Sequence, residues 1–345
     1  IETIIMKKNS LYILLFSAFL FGCSSHNEPT RAEKEKPQKK ENVYHNPIIN
    51  TSLPDPTVIR ASDGNFYLYA TEDIRNTPIY KSGDLVHWTY VGTAFTNSTR
   101  PTLVKDGGIW APDINYINGQ YVLYYAMSTW GGEWQAGIGA AVADRPEGPF
   151  KDCGKVLTSM EIGVQNSIDG YYFTENGRHY LFWGSFRGIY AIELSADGLS
   201  VLPDAEKHKV AGSFMEAVCI HRRGDYYYMF GSFGSCCDGA NSTYRITVGR
   251  SEHLLGPYVN KQGKQLMDNQ YEVVLHANNQ FVGTGHNAEI ITDDHGDNWM
   301  IYHSFLRSDI GRGRVLMMDQ LKWKDGWPYV DTDSPSKEQQ KPYFK

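Results

Sequence analysis

From Tyr44 to Val330, short apolar runs of four to seven residues, rich in Tyr, Val, Ile, Leu and Phe, alternate with clusters of Gly, Asn and Asp. No stretch there keeps a helical period, so the pattern predicts strands joined by tight turns. One phrase recurs, a turn glycine followed by a dense apolar and aromatic run. It reads DGNFYLYA at 63 to 70, NGQYVLYY at 118 to 125, NGRHYLFW at 176 to 183, RGDYYYMF at 223 to 230 and HGDNWMIY at 295 to 302. The five glycines, Gly64, Gly119, Gly177, Gly224 and Gly296, stand 55, 58, 47 and 72 residues apart. That is a little longer than the ~40 to 50 residues of common propeller repeats, an excess that longer loops account for. Six to ten residues before each glycine comes a polar side chain: Asp55, Asp113, Asp169, Glu216 and His286. If each repeat is one blade, its inner strand delivers that side chain to a shared axis. The expected fold is all-β, a five-bladed β-propeller over residues 43 to 345.

Secondary phrases fit the same scheme. RPEGPFKD at 145 to 152 and LLGPYVNK at 254 to 261 read as equivalent turns near the outside of two blades. GRVLMMDQLKWKDGWPYV, from 313 to 330, reads as two strands joined at Asp325-Gly326 that finish the last blade. The polar tail after Asp331 is expected to fray.

The first residues follow another pattern. Met6, Lys7 and Lys8 are followed by an apolar run from Leu11 to Gly22, too short for a permanent membrane span. Leu20-Phe21-Gly22-Cys23 resembles the cleavage box of bacterial lipoproteins, in which the cysteine becomes the acylated first residue. Residues 1 to 22 are therefore expected to be a lipoprotein signal peptide, and residues 23 to 42, charged and poor in apolar side chains, a flexible tether. Lipid at Cys23 would be the one membrane attachment, placing the protein at a bacterial outer membrane.

Composition narrows the function. A net charge of −6, without a basic block in the folded part, argues against nucleic acid as a partner. The 23 tyrosines and 8 tryptophans suit strand packing and sugar stacking alike. Export would put Cys153, Cys219, Cys236 and Cys237 in an oxidising compartment. The adjacent Cys236 and Cys237 could form a cramped bridge or remain two packed thiols.

Three carboxyls at the repeat positions carry candidate chemistry. Asp55 in LPDPTVI, Asp169 in NSID and Glu216 in FMEAV all sit beside apolar residues at expected strand ends. Burial and mutual repulsion would push their pKa values apart, leaving one protonated and another ionised near neutrality. Glycosidic cleavage needs that pairing, an acid for the leaving oxygen and a base for water. Taken alone, Asp55 before Pro56 and Asp169 before Gly170 read as turn residues, whereas Glu216 between Met215 and Ala217 is costly unless used. His286 in TGHNAEI reads as a structural histidine or as the single protein contact of a water-shelled ion. Trp110 and Trp130 read as packing residues or sugar platforms.

These phrases, with WAPDINYINGQYVLYYAMSTWG and MEAVCI in the same order, resemble glycoside hydrolase family 43 over nearly all of residues 46 to 330. SFGSCCDGANSTYRITVGRS at 232 to 251 is similar to the endo-arabinanase branch. The resemblance implies an inverting hydrolase of α-1,5-linked arabinan, with Asp55 as general base, Glu216 as general acid and Asp169 as the residue that tunes the acid. It also implies substrate contacts from Trp110, Asp113, Trp130 and Asn166, and an axial ion, commonly calcium, at His286, with no organic cofactor. The implied partner is arabinan or an arabinoxylan-type polysaccharide, met by a monomer. The alternatives are an exo-acting arabinofuranosidase or β-xylosidase of the same family and a non-catalytic glycan-binding lipoprotein. The chain departs from the pattern at Pro54, where many endo-arabinanases have His, and at Gly170 and Val218-Cys219, where proline-containing turns are common.

Overall fold

In a computed structural model of the protein, which describes residues 42 to 345, the five repeats form five blades. The expected signal peptide, Cys23 anchor and tether lie outside the described residues. Blade I comprises strands Thr57–Arg60, Phe66–Tyr69, Pro78–Ser82 and Trp88–Thr93. Blade II comprises Gly108–Ile117, Gln120–Ser128, Gly137–Ala143 and Lys151–Thr158. Blade III runs from Tyr171–Glu175 through Arg178–Trp183 and Ile189–Leu194 to His208–Ala211. Blade IV runs from Glu216–Arg223 through Tyr226–Phe233 and Arg245–Ser251 to Glu272–Leu275. All four are antiparallel in chain order, and the turn glycines join their first and second strands.

Blade V departs from the expected ending. Its first three strands, Phe281–Gly285, Asn298–Leu306 and Asp309–Lys324, are completed by Ile49–Ser52 from the start of the domain. The hairpin at Asp325-Gly326 does form, pairing Trp327–Tyr329 with Lys322 to Lys324, but the outer place in the blade belongs to the earlier segment. The ring is thus closed by main-chain hydrogen bonds between its two ends. The tail does not fray. Glu338–Gln340 pairs with Val43–His45, Phe344 packs on Phe66 and Tyr343 stacks on His295. The phrases at 145 to 152 and 254 to 261 occupy equivalent places before the outer strands of blades II and IV, each with a cis Gly-Pro bond.

The aromatic second strands supply the packing between blades. Tyr69, Tyr125, Trp183, Phe230 and Tyr302 are all buried, and apolar clusters join neighbouring blades. The first strands of blades I to IV touch in sequence around the axis.

Candidate active site

Each blade has one non-glycine residue in the left-handed region within or beside its inner strand, where the regular ladder is interrupted. These are Asp55 (φ 56°), Ala111 (38°), Asp169 (57°), Ala217 (58°) and His286 (50°). In blades II and IV the break coincides with a shift in ladder register, between Trp110 and Asp113 and between Glu216 and Cys219, and in blade V a shift between Val282 and Gly285 comes just before it. Such a bulge bends the strand and re-aims the side chains beside it. Asp55, Asp169 and His286 occupy the break itself, and Glu216 and Trp110 come one residue before it.

Asp113 comes two residues after it, which moves it away from the cleft. It stands only six residues before its turn glycine, against eight to ten for the others, so it points into the narrow axial channel beneath. There it accepts hydrogen bonds from the Tyr172 N–H (2.7 Å) and the Asn115 amide (2.8 Å) and faces Glu289. Burial, and then Glu289, push its carboxyl well above the usual range. The expectation that Asp113 contacts substrate from the cleft wall does not match this placement.

The remaining candidates line one cleft of about 600 Å³, which draws residues from all five blades. Its floor carries Asp55, Asp169, Glu216 and His286, all nearly buried. Trp110 and Trp130 stand 5.6 Å apart on the blade II side, with Trp130 81% exposed and without packing partners that would explain it as a core residue. Asn166 lines the same wall and donates to Ser185 Oγ at 2.9 Å. Cys236 and Cys237 are bridged and form part of the blade IV rim, while Cys153 and Cys219 are free.

Neighbours set the carboxyls apart. Burial alone would raise Asp55, but Arg314 Nη1 at 3.1 Å and His286 Nδ1 at 3.2 Å from Oδ1 hold it well below the usual carboxylate range. Thr71 donates to Oδ2 at 2.6 Å and itself accepts from the Ala111 N–H, which ties this carboxylate to blade II. Glu216 goes the other way. Burial raises its pKa, and the hydrogen bonds it accepts from Ser185 (2.6 Å) and Tyr244 (2.7 Å) only partly offset that. Asp169, which accepts from the Ala217 N–H at 3.1 Å, is pushed up to about 8 by burial and by Glu216. Two such carboxyls titrate as a pair, so the last proton belongs to both. The same field raises the pKa of His286 through Asp55, against the effect of burial.

Arg314, Thr71, Ser185, Tyr244 and His303, whose Nδ1 accepts the Asp55 N–H at 3.0 Å, were not anticipated. They come from second and third strands or their approaches, where no repeat phrase marks them. Among the described residues, no three His, Cys, Asp or Glu side chains converge to hold a metal. With Nδ1 turned to Asp55, His286 could offer an ion only Nε2. Its surroundings fit a cation held chiefly by water and drawn by the nearby carboxyls, not a caged calcium with six to eight protein oxygens.

A ring of five blades with paired carboxyls on its axis defines a carbohydrate-cleaving class of propeller. The family model for glycosyl hydrolases family 43 matches residues 44–328. The chain is 34% identical over 292 residues to an extracellular endo-α-(1→5)-L-arabinanase of Bacillus subtilis, covering 81% of this chain and 88% of that one. It is 32% identical over 306 residues to an extracellular exo-α-(1→5)-L-arabinofuranosidase of Cellvibrio japonicus, covering 80% and 86%. Among solved structures, an α-L-arabinanase of Cellvibrio cellulosa complexed with arabinohexaose superimposes with a TM-score of 0.75 at 31% identity, covering 81% of this chain and 96% of that one. The protein belongs to glycosyl hydrolases family 43 and is a glycoside hydrolase.

Proposed function

We propose that the protein hydrolyses α-1,5-linked arabinan by an inverting mechanism, with Asp55 as general base and Glu216 as general acid. The observation that carries this reading is the unlike surroundings of two carboxyls on one cleft floor, a guanidinium and an imidazole on Asp55 and two hydroxyls on Glu216. Asp55 is kept ionised by Arg314 and His286, whereas burial favours the protonated form of Glu216. A water held by Asp55 loses its proton to Oδ1 or Oδ2 as its oxygen attacks the anomeric carbon. The bond from that carbon to the leaving oxygen breaks, and that oxygen takes the proton of Glu216. Inversion follows because water and leaving group occupy opposite faces of the sugar, with carboxyls ~6.5–9.5 Å apart. Asp169 keeps a negative charge or a shared proton beside Glu216 and so delays its ionisation. Trp110 and Trp130 offer ring faces to arabinose units, and Asn166 offers an amide beside them.

An exo mode is the second reading, favoured by the similarity to the Cellvibrio japonicus enzyme. Early products from linear arabinan separate the two: mixed oligomers for endo cleavage, one small product for exo. Asp55→Ala and Glu216→Ala are each expected to lower turnover on linear arabinan by about 10³-fold, within the range of general acid–base catalysis, with unchanged circular dichroism. Substantial residual turnover in either variant would refute its role. Arabinan binding without any reducing-end release by the wild type would instead leave a glycan-binding protein.

Calcium at His286 belongs to the same proposal. It would supply positive charge beneath the carboxyls, with His286 as its single protein ligand. Chelation should then lower the unfolding temperature, with recovery on adding calcium, and an unchanged melting curve would remove the ion. Extracellular action is inferred from the extracellular relatives and from the Cys236–Cys237 bridge, which suits an oxidising compartment. Cys23→Ala should release the protein from the membrane fraction if lipid at that residue anchors it.

A further inference from the structure

Asp55 heads blade I and Glu216 heads blade IV, so blade V lies between base and acid. Two buried rings fill that gap. His303, on the second strand of blade V and 0% exposed, accepts the Asp55 N–H on Nδ1 at 3.0 Å. Its proton therefore sits on Nε2, which is buried without a hydrogen-bond partner. Tyr244, at the approach to the third strand of blade IV and 1% exposed, donates its hydroxyl to Glu216 Oε1 at 2.7 Å. The two rings stack nearly parallel, 7° apart in plane with centroids 5.7 Å apart. Gly285 is paired with His303 in the ladder, and a Cβ there would stand 2.1 Å from the Tyr244 ring, so this glycine makes room for the stack.

We propose that the stacked His303 and Tyr244 form a spacer that sets base against acid, and that both are positioning residues for hydrolysis. One end holds the backbone of Asp55, a non-glycine residue with φ 56° that needs outside support to stay there. The other end fixes a carboxyl oxygen of Glu216. An inverting pair is sensitive to its separation, because a water must fit between base and anomeric carbon. The unpartnered Nε2 is a cost to folding that an apolar side chain would avoid. Its retention is understandable if Nδ1 is needed where it stands. The assignment of Asp55 and Glu216 is taken from the proposed function.

The test compares His303→Leu, His303→Asn, Tyr244→Phe, Gly285→Ala and the Leu/Phe double variant on linear arabinan. Asp55→Ala and Glu216→Ala serve as controls. His303→Leu should lower kcat about 10²-fold, the scale of a misplacement of order 1 Å. Its KM should be little changed and its unfolding temperature equal to or above wild type, which a purely structural role would not give. His303→Asn places an oxygen acceptor near the position of Nδ1 and should recover most of the loss. Tyr244→Phe should lower kcat and move the alkaline limb of the pH profile upward, because it removes a hydrogen bond that favours ionised Glu216. Glu216 is otherwise faced by Ser185, His286, Asp55 and Asp169, all unchanged in that variant. Gly285→Ala should lower kcat by displacing the ring without removing a polar group. The double variant should lose less than the product of the single losses. Wild-type kcat in the folded variants, His303→Asn no better than His303→Leu, or losses that multiply would each overturn the spacer. If the two control variants stay active, the acid and base assignment falls first, and the two failures are thereby distinguished.

Discussion

Asp55 and Glu216 share one floor, yet a guanidinium and an imidazole face the first while hydroxyls face the second. Activity should therefore follow a bell in pH. Its acid limb falls where Asp55 takes a proton, below the usual carboxylate range. Its alkaline limb falls where the Glu216 and Asp169 pair loses its last proton, above that range. Asp169→Asn removes a like charge from Glu216 and so lowers the acid's pKa. The expected outcome is a kcat/KM profile whose alkaline limb moves to lower pH while the acid limb stays. An unmoved alkaline limb would mean that Asp169 does not tune the acid.

The left-handed residue at each inner strand positions these groups, and its regularity is what made the site legible from sequence. Asp55, Asp169, Glu216 and His286 could be paired with their turn glycines because the spacing from that residue to the turn is nearly constant. Asp113 could not be placed that way, since its shorter spacing drops it below the bulge into the channel with Glu289. The partners that tune the acids were invisible for a different reason. Thr71, Ser185, Tyr244, His303 and Arg314 sit on or beside strands whose sequence is governed by packing, and Ser185, His303 and Arg314 reach their carboxyl from a neighbouring blade. Closure of blade V was likewise hidden. Nothing in Ile49–Ser52 marks it as the partner of a strand that begins 257 residues after Ser52. Leu53, fully buried beside that seam, gives the check: Leu53→Ala should cost about 2–5 kcal/mol in urea unfolding. A cost near zero would mean that the seam does not hold the ring.

At the scale of the molecule, five similar blades around one axis bring together residues more than 150 positions apart, and the ring makes their chemistry a pair. Retaining enzymes place their two carboxyls closer and pass through a covalent intermediate, so the stereochemistry of the first product reports how Asp55 is used. Proton NMR of arabinan cleavage, read before the new reducing end mutarotates, tests this most directly. The β-anomer should appear first, as expected if Asp55 activates water against an α-linkage. Initial release of the α-anomer would contradict the assignment of Asp55 as a base and of this ring as an inverting site.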